Sequence, residues 1–389
     1  MNGHHLERRA WVARILLGAT LALAVGAAAA LIGPGPEAAA GHRAAGPSVL
    51  TLRTDGGHDA LWLVPPDGGS PAAAGTLPGV AGSAAVSPDG ANVAYSPSNG
   101  KPSIWLGYGT LAPKTISLAS AGLKSVGGMT WISADQLLVS GSTNGRYSDP
   151  HTARLYTVDV KTGSVKAFHG LTGAEPSADP ASGKVAYVRF SRLDGGSTRN
   201  NHAPLYRESL KLADIVKGGA GRTLASAQYR LFADQRAFSR PQLAPGAKWI
   251  LTGETGSDVR VTYTLYDTSD IAAPWLSVFA PALQTAAWAP DGSSVAFGGV
   301  VASPAMLSDA CVYVDDVTSG ALTRTPAGVL TGASAGMITG VAWSGDGRLV
   351  ADALDSGAGT SNEHVLVMRG DDLSTVKDLG QGHLSVWVP

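Results

Sequence analysis

Thr285-Ala286-Ala287-Trp288-Ala289-Pro290-Asp291-Gly292-Ser293-Ser294-Val295-Ala296-Phe297 decides the fold of this chain. It reads as strand, tight turn, strand. The apolar run ends at Trp288. Pro290 presets φ for the first central turn position, Asp291 can bond its own backbone, and Gly292 accepts a positive φ. Val295 and Phe297 then alternate with small residues, as a second strand should.

The unit recurs. In the same frame, Val86-Ser87-Pro88-Asp89-Gly90 leads to Val93, and Trp343-Ser344-Gly345-Asp346-Gly347 leads to Val350. Weaker copies start at Trp131 and Leu243, the most degraded at Ala178, and Trp387 carries the frame to the end of the sequence. Most steps are about 45 residues, the period of four-stranded propeller blades. A second element follows each anchor: a short strand that often ends in Asp. Leu155–Asp159, Leu265–Asp267 and Val312–Asp315 are examples, and Ile104–Leu106, Leu210–Leu212 and Val365–Val367 hold the same slot.

The Trp-Ser-Pro-Asp-Gly…Val-Ala-Phe…Val-Tyr-Val-Asp pattern resembles the TolB-type, WD40-like propeller repeat, from about residue 48 to residue 389. The resemblance implies an all-β propeller acting outside the cytoplasm as a scaffold that binds a protein or an envelope component. Family members with a small α/β domain before the propeller differ from this chain, which has no room for one.

Ser48–Arg53 and Ala60–Val64 read as strands with no anchor before them, and Trp387 is an anchor with no strands after it. Joined, they make one blade with Leu384–Val388 innermost, which removes free sheet edges. The expected fold is a seven-bladed propeller over 48–389, or six-bladed if the copy at Ala178 is not a blade.

Ahead of it, residues 1–14 are basic, with Arg8, Arg9 and Arg14, and Ile15 to Ile32 is an unbroken run of apolar and small residues. That layout, residues 1–32 in all, fits an export signal or a retained N-terminal membrane helix. The basic side stays inside, which places the remainder outside the cytoplasm. Residues 33–47, rich in Gly, Pro and Ala, read as a flexible linker.

Composition narrows function. The 389 residues carry 50 Gly, 23 Pro, 15% charged residues and a net charge of −1, too balanced for nucleic acid. The single cysteine, Cys311, rules out an internal disulfide. Nothing calls for a cofactor, a metal or a catalytic residue: there is no His-Glu-x-x-His and no cysteine pair. Gly332-Ala333-Ser334-Ala335-Gly336 matches a nucleophile elbow but lacks the strand-turn-helix context. Gly218-Gly219-Ala220-Gly221 reads as a loop. Asp315-Asp316 reads as a turn, and a monomer is expected.

The connections between second and third strands are long: Ser140 to Ala153, Arg189 to Tyr206, Gly298 to Ala310 and Asp355 to Glu363. They share a face with the connections between blades, so that face is the expected working surface. Residues 189–240 hold ten Lys or Arg against four Asp or Glu, a charge of +6 that leaves −7 elsewhere. Arg192, Arg199, His202 and Arg207 fall in one expected loop, and Arg222 and Arg230 in the following connection. Those six are the candidate partner-binding residues, for an anionic polymer or lipid surface. Tyr206, Tyr229 and Phe238 read as packing, and His151, His202 and His364 as scattered surface positions. The alternative is an enzyme, a metal-dependent lactonase or a lyase, with its site at the channel mouth.

Overall fold

The computed structural model describes residues 47–108, 113–144, 150–194, 204–230, 238–255, 260–269, 274–281, 286–301, 309–325, 335–355, 363–373 and 376–389. The N-terminal segment, Arg199, His202 and Ser334 lie outside them. Everything below belongs to the unit 40–389. No helix among the described residues is long and apolar enough to cross a membrane.

Seven four-stranded antiparallel sheets follow one another. Blade 1 consists of Ser48–Asp55, His58–Val64 and Ala72–Thr76, with His383–Val388 as its innermost strand. Blades 2 to 7 follow in chain order. Their innermost strands are Ala81–Val86, Ser125–Trp131, Ala174–Asp179, Ser239–Leu243, Ala286–Trp288 and Ala335–Trp343. Every expected anchor therefore ends an innermost strand or stands one residue from its end. The degraded copy at Ala178 is a full blade, so the count is seven. In blade 1, Leu50 pairs with both Val386 and Leu63.

The turn that anchors the repeat forms as its residues dictate. The Gly292 N–H bonds the Ala289 carbonyl at 2.9 Å, and Asp291 Oδ1 accepts the Ser293 N–H at 2.9 Å. Gly292 has φ +71, and a Cβ there would stand 2.9 Å from the Pro245 carbonyl of blade 5. Only glycine meets both conditions.

The apolar side chains gather between blades. Seven buried clusters bridge the seven pairs of neighbours. Val49, Val64 and Trp387 of blade 1 pack with Val350, Val365 and Val367 of blade 7, for example. Each sheet must bury two faces, and a ring lets neighbours supply both.

The anchor tryptophans do more than fill space. Each indole N–H donates to the carbonyl just before the preceding blade's anchor. Trp131 reaches Ala85 at 2.9 Å, Trp288 reaches Gln242 at 3.0 Å, Trp343 reaches Ala287 at 3.0 Å, and Trp387 reaches Ala342 at 3.2 Å. At two anchors that are not Trp, the link changes chemistry. The Ala178 N–H donates to Thr130 Oγ1 at 3.2 Å, and the Leu243 N–H to Ser177 Oγ at 3.0 Å. A hydroxyl on the earlier blade thus stands in for the missing indole.

Several expected loops are shorter than the sequence suggests. Blade 4 pairs without interruption from Lys184–Asp214 to Arg192–Tyr206, so Arg192 ends a strand and Arg207 lies within one. The outer strand Gly218–Arg230 takes in the expected glycine loop, Arg222 and Arg230. Gly298 and Ala310 likewise pair within blade 6. Cross-strand hydrogen bonding extends these strands past the point where apolar alternation stops.

Candidate functional site

The innermost strands surround a cavity of about 620 Å³. Six of them carry a register shift facing it: at Gly82, Gly127-Gly128, Glu175-Pro176, Arg240-Pro241, Thr339 and Leu384. Glu175, Arg240 and Leu384 all stand three residues before their anchors, and all adopt a left-handed backbone, with φ of 53°, 48° and 47° in the order Glu175, Leu384, Arg240. Non-glycine residues there carry about 1–2 kcal/mol of strain each. Backbone strain repeated around one opening makes this wall a candidate site. The Arg240 N–H bonds Glu175 Oε2 at 2.7 Å, joining two bulges across a blade boundary.

Asp352 is the third charged residue of the wall and the most buried, with 2% of its surface exposed. It pairs with Gly340, where a Cβ would lie 2.7 Å from its carboxylate. Oδ2 accepts the Ser385 N–H at 2.8 Å, whereas Oδ1 is buried with no hydrogen-bond partner among the described residues. Burial outweighs the bonds from Ser385 and pushes the Asp352 pKa up to about 6.

Behind Asp352, the seam between blades 7 and 1 holds further ionisable groups. His383 Nε2 lies 3.4 Å from Asp59 Oδ1 and 3.1 Å from Thr54 Oγ1, and Nδ1 lies 4.0 Å from Glu363. Asp59 is fully buried and also accepts the Ala81 N–H of blade 2 at 2.8 Å. Burial works against its charge, but the bonds from His383, Thr54 and Ala81 prevail and hold its pKa below the ordinary value. For His383 burial lowers the pKa, and the bond and charge of Asp59, helped by Glu363 and Asp352, more than reverse this. Ser385 Oγ donates to Thr51 Oγ1 at 3.0 Å and completes the link between the two terminal strands. Sequence reading did not single out these residues. They stand far apart in the chain, and no spacing rule brings them together.

The residues expected to bind a partner divide between two ends and two faces of blade 4. Register puts Arg207 and Arg230 on one face with Arg189 and Lys211, near the end where Arg192 also lies. Arg192 belongs to the other face, and its Nε donates to the Asp194 carbonyl at 2.8 Å. Arg222 sits near the opposite end, where its guanidinium donates to the Thr268 carbonyl of blade 5. The expectation that Arg222 shares a rim with the others is therefore corrected, because a long outer strand separates it from them.

The Arg189 face meets blade 3 at its far end, where Val185 and Tyr187 pack with Leu155 and Phe168. Lys211 is 9% exposed, and its one hydrogen-bond partner among the described residues is Thr223 Oγ1 at 2.7 Å. Burial, then the charge of Arg189, lowers its pKa. Arg189 Nε is buried without a partner among the described residues.

The remaining candidates are structural. Tyr206, Tyr229 and Phe238 are buried in the core between blades 4 and 5. His151 stacks on Tyr206 at 3.5 Å and bonds the Tyr229 hydroxyl. His364 bonds Asp378 in blade 7 at 2.9 Å, so these two histidines belong to different regions. Asp316 accepts the N–H groups of Thr318 and Ser319, both at 2.9 Å, making the expected turn. Cys311 is a buried thiol.

No protein-family model and no curated protein matches the chain. Among solved structures it is similar to TolB from Acinetobacter baumannii, with a TM-score of 0.45 and 13% identity over 88% of this chain and 82% of that one. It is similar to the Dos1 propeller (0.47, 15%, 77% and 71%) and to a putative TolB from Agrobacterium tumefaciens (0.42, 13%, 86% and 91%). At these scores the likeness carries no argument about activity, and the propeller rests on the seven sheets themselves.

Proposed function

We propose that the protein is an extracytoplasmic, non-enzymatic propeller that binds an anionic component of the cell envelope on the basic face of blade 4. One observation carries this reading. Arg189, Arg207, Arg230 and Lys211 share that face, and neither Arg189 nor Lys211 has a carboxylate partner among the described residues. Cations without a carboxylate partner, as Arg189 and Lys211 are among the described residues, are costly where buried, and an oxyanion that accepts from guanidinium forks and hydroxyls offsets that cost. The basic segment before the apolar run Ile15 to Ile32 supports the location.

Sedimentation with vesicles tests it. The protein should bind phosphatidylglycerol vesicles, ignore phosphatidylcholine, and release as salt shortens the Debye length to about 3 Å at 1 M. Arg207→Glu with Arg230→Glu should abolish sedimentation while the thermal midpoint holds. Equal binding to both lipids, or an unaffected double variant, would refute the reading.

An enzyme is the second reading, and the Thr54–His383–Glu363 row is what favours it. The row does not form a working relay. Thr54 Oγ1 gives its proton to Asp59 Oδ1 at 2.6 Å, so His383 is not its base. Glu363 at 4.0 Å is beyond hydrogen-bond length from His383 Nδ1.

A further inference from the structure

The cations on the basic face of blade 4 are regularly spaced. Arg189 pairs with Ser209, and Arg207 pairs with Gln228. Arg207 stands two residues before Ser209, and Arg230 two residues after Gln228. No register shift falls between these positions. Each cation is therefore the diagonal cross-strand neighbour of the next, a step of roughly 7–8 Å. Arg189, Arg207 and Arg230 form one oblique row across the second, third and fourth strands of the blade.

The row is graded in depth. Arg207 and Arg230 are exposed, and Arg189 is half-buried. Of the Arg189 guanidinium only Nε is buried without a partner, so the terminal nitrogens still meet solvent. Beyond Arg189 the face closes, with Lys211 at 9% exposure and Tyr187 at 1%. A flat bilayer touches the outer two cations, whereas a narrow chain laid along the sheet reaches all three. Ser191, Ser209 and Gln228 share the face and are neutral hydrogen-bonding groups. Register places no Asp or Glu on this face between Lys211 and Arg230.

These features select among polyanions. Single-stranded nucleic acid binds by stacking its bases on aromatic rings, and the one aromatic on this face among the described residues, Tyr187, is buried. A phosphodiester chain of a three-carbon polyol sets its charges six single bonds apart, about 7 Å when extended. Its hydroxyls donate and accept, as Ser and Gln side chains do. Each phosphate takes a guanidinium fork.

We propose that the row binds a linear polyol phosphate with one charge per step, its phosphates on Arg189, Arg207 and Arg230 and its hydroxyls against Ser191 and Gln228. This assignment rests on the anion-binding face proposed above and narrows its ligand to one polymer class.

Calorimetry on the full chain compares synthetic glycerol phosphate oligomers of one, two and three phosphates, at low salt where the Debye length is about 30 Å. Affinity should rise at least about tenfold from one phosphate to three, because each added charge is tethered to the last, and should level off beyond three. A three-phosphate chain linked through decane-1,10-diol should bind more weakly. Arg230→Gln should remove the gain from the third phosphate. Lys217→Gln makes the same change of charge at an exposed position on the opposite end of the blade and should not. Phosphatidylglycerol vesicles and a thymidine oligomer carrying three phosphates complete the set. Vesicle binding with no gain along the glycerol series overturns this inference and leaves the anion-binding face standing. Binding by neither overturns both, and a gain along the series without vesicle binding supports the polymer. A thymidine oligomer that binds as tightly as the three-phosphate glycerol chain overturns the proposal. So does equal binding by the decanediol chain, or an equal loss from Arg230→Gln and Lys217→Gln.

Discussion

Asp352→Asn should make the protein more stable in alkaline solution and leave it nearly unchanged in acid. The folded protein holds the Asp352 proton with a pKa of about 6 against 3.8 for the free side chain. Between those values the folded state binds more proton than the unfolded one, so stability falls as pH rises from about 4 through about 6. Above that range the full cost is present. Roughly two pKa units at 1.36 kcal/mol each give an upper value of ~3 kcal/mol. Asparagine keeps the acceptor for the Ser385 N–H, now 2.8 Å from Oδ2, and carries no charge. With about 2 cal/mol/K per residue over a ring of roughly 340 residues, 3 kcal/mol moves the midpoint by ~4 °C. Urea unfolding at about pH 4.5 and pH 8 gives the comparison. A stability gain of ~2–3 kcal/mol at the higher pH against ~1 kcal/mol or less at the lower supports the reasoning. The same change at both values, or a loss at pH 8, would show that Asp352 is charged and satisfied in the folded state.

Three further outcomes are expected. His383→Gln should cost stability chiefly on the acid side. The raised pKa of His383 means its contribution is complete below about 6.5 and fades as pH rises through the folded value, so a pH-independent loss would refute the pairing with Asp59. Trp387→Phe should lower the urea midpoint by the equivalent of about 1–2 kcal/mol, since it strips the Ala342 carbonyl of its indole donor, and no change would deny the link any role. Gly292→Ala should cost more than Gly320→Ala: both have positive φ, of +71 and +68, but only Gly292 also meets a carbonyl, and equal losses of about 1 kcal/mol would mean the contact with Pro245 is soft.

What could be read in advance was local or periodic. The Pro-Asp-Gly turn specifies its own backbone, and an anchor about every 45 residues, a Trp in four of the seven copies, marks where one innermost strand ends. The two incomplete blades were readable because Trp387 has no strands after it and Ser48–Arg53 has no anchor before it. Strand length was not readable in blade 4, because Arg189 to Arg192 and Tyr206 to Arg207 look polar yet pair across the sheet. Nor was the channel wall. Asp352 stands in the apolar stretch Leu349-Val350-Ala351-Asp352-Ala353, and nothing local says that its side chain meets Ser385, 33 residues away. The blade 4 candidates were half legible. Composition located the charge, but only register could separate Arg222 from Arg207 and Arg230.

The pairing of Ser48–Asp55 with His383–Val388 sets a timetable. An emerging chain must hold Ser48–Asp55 exposed along one edge until His383–Val388 arrives, because among the described residues no other segment supplies that partner. A ribosome stall or a protease nick ahead of His383 therefore leaves that edge of Ser48–Asp55 adhesive. Once shut, the Tyr108 hydroxyl donates to the Pro389 carbonyl at 2.9 Å and holds the end of the closing strand against blade 2.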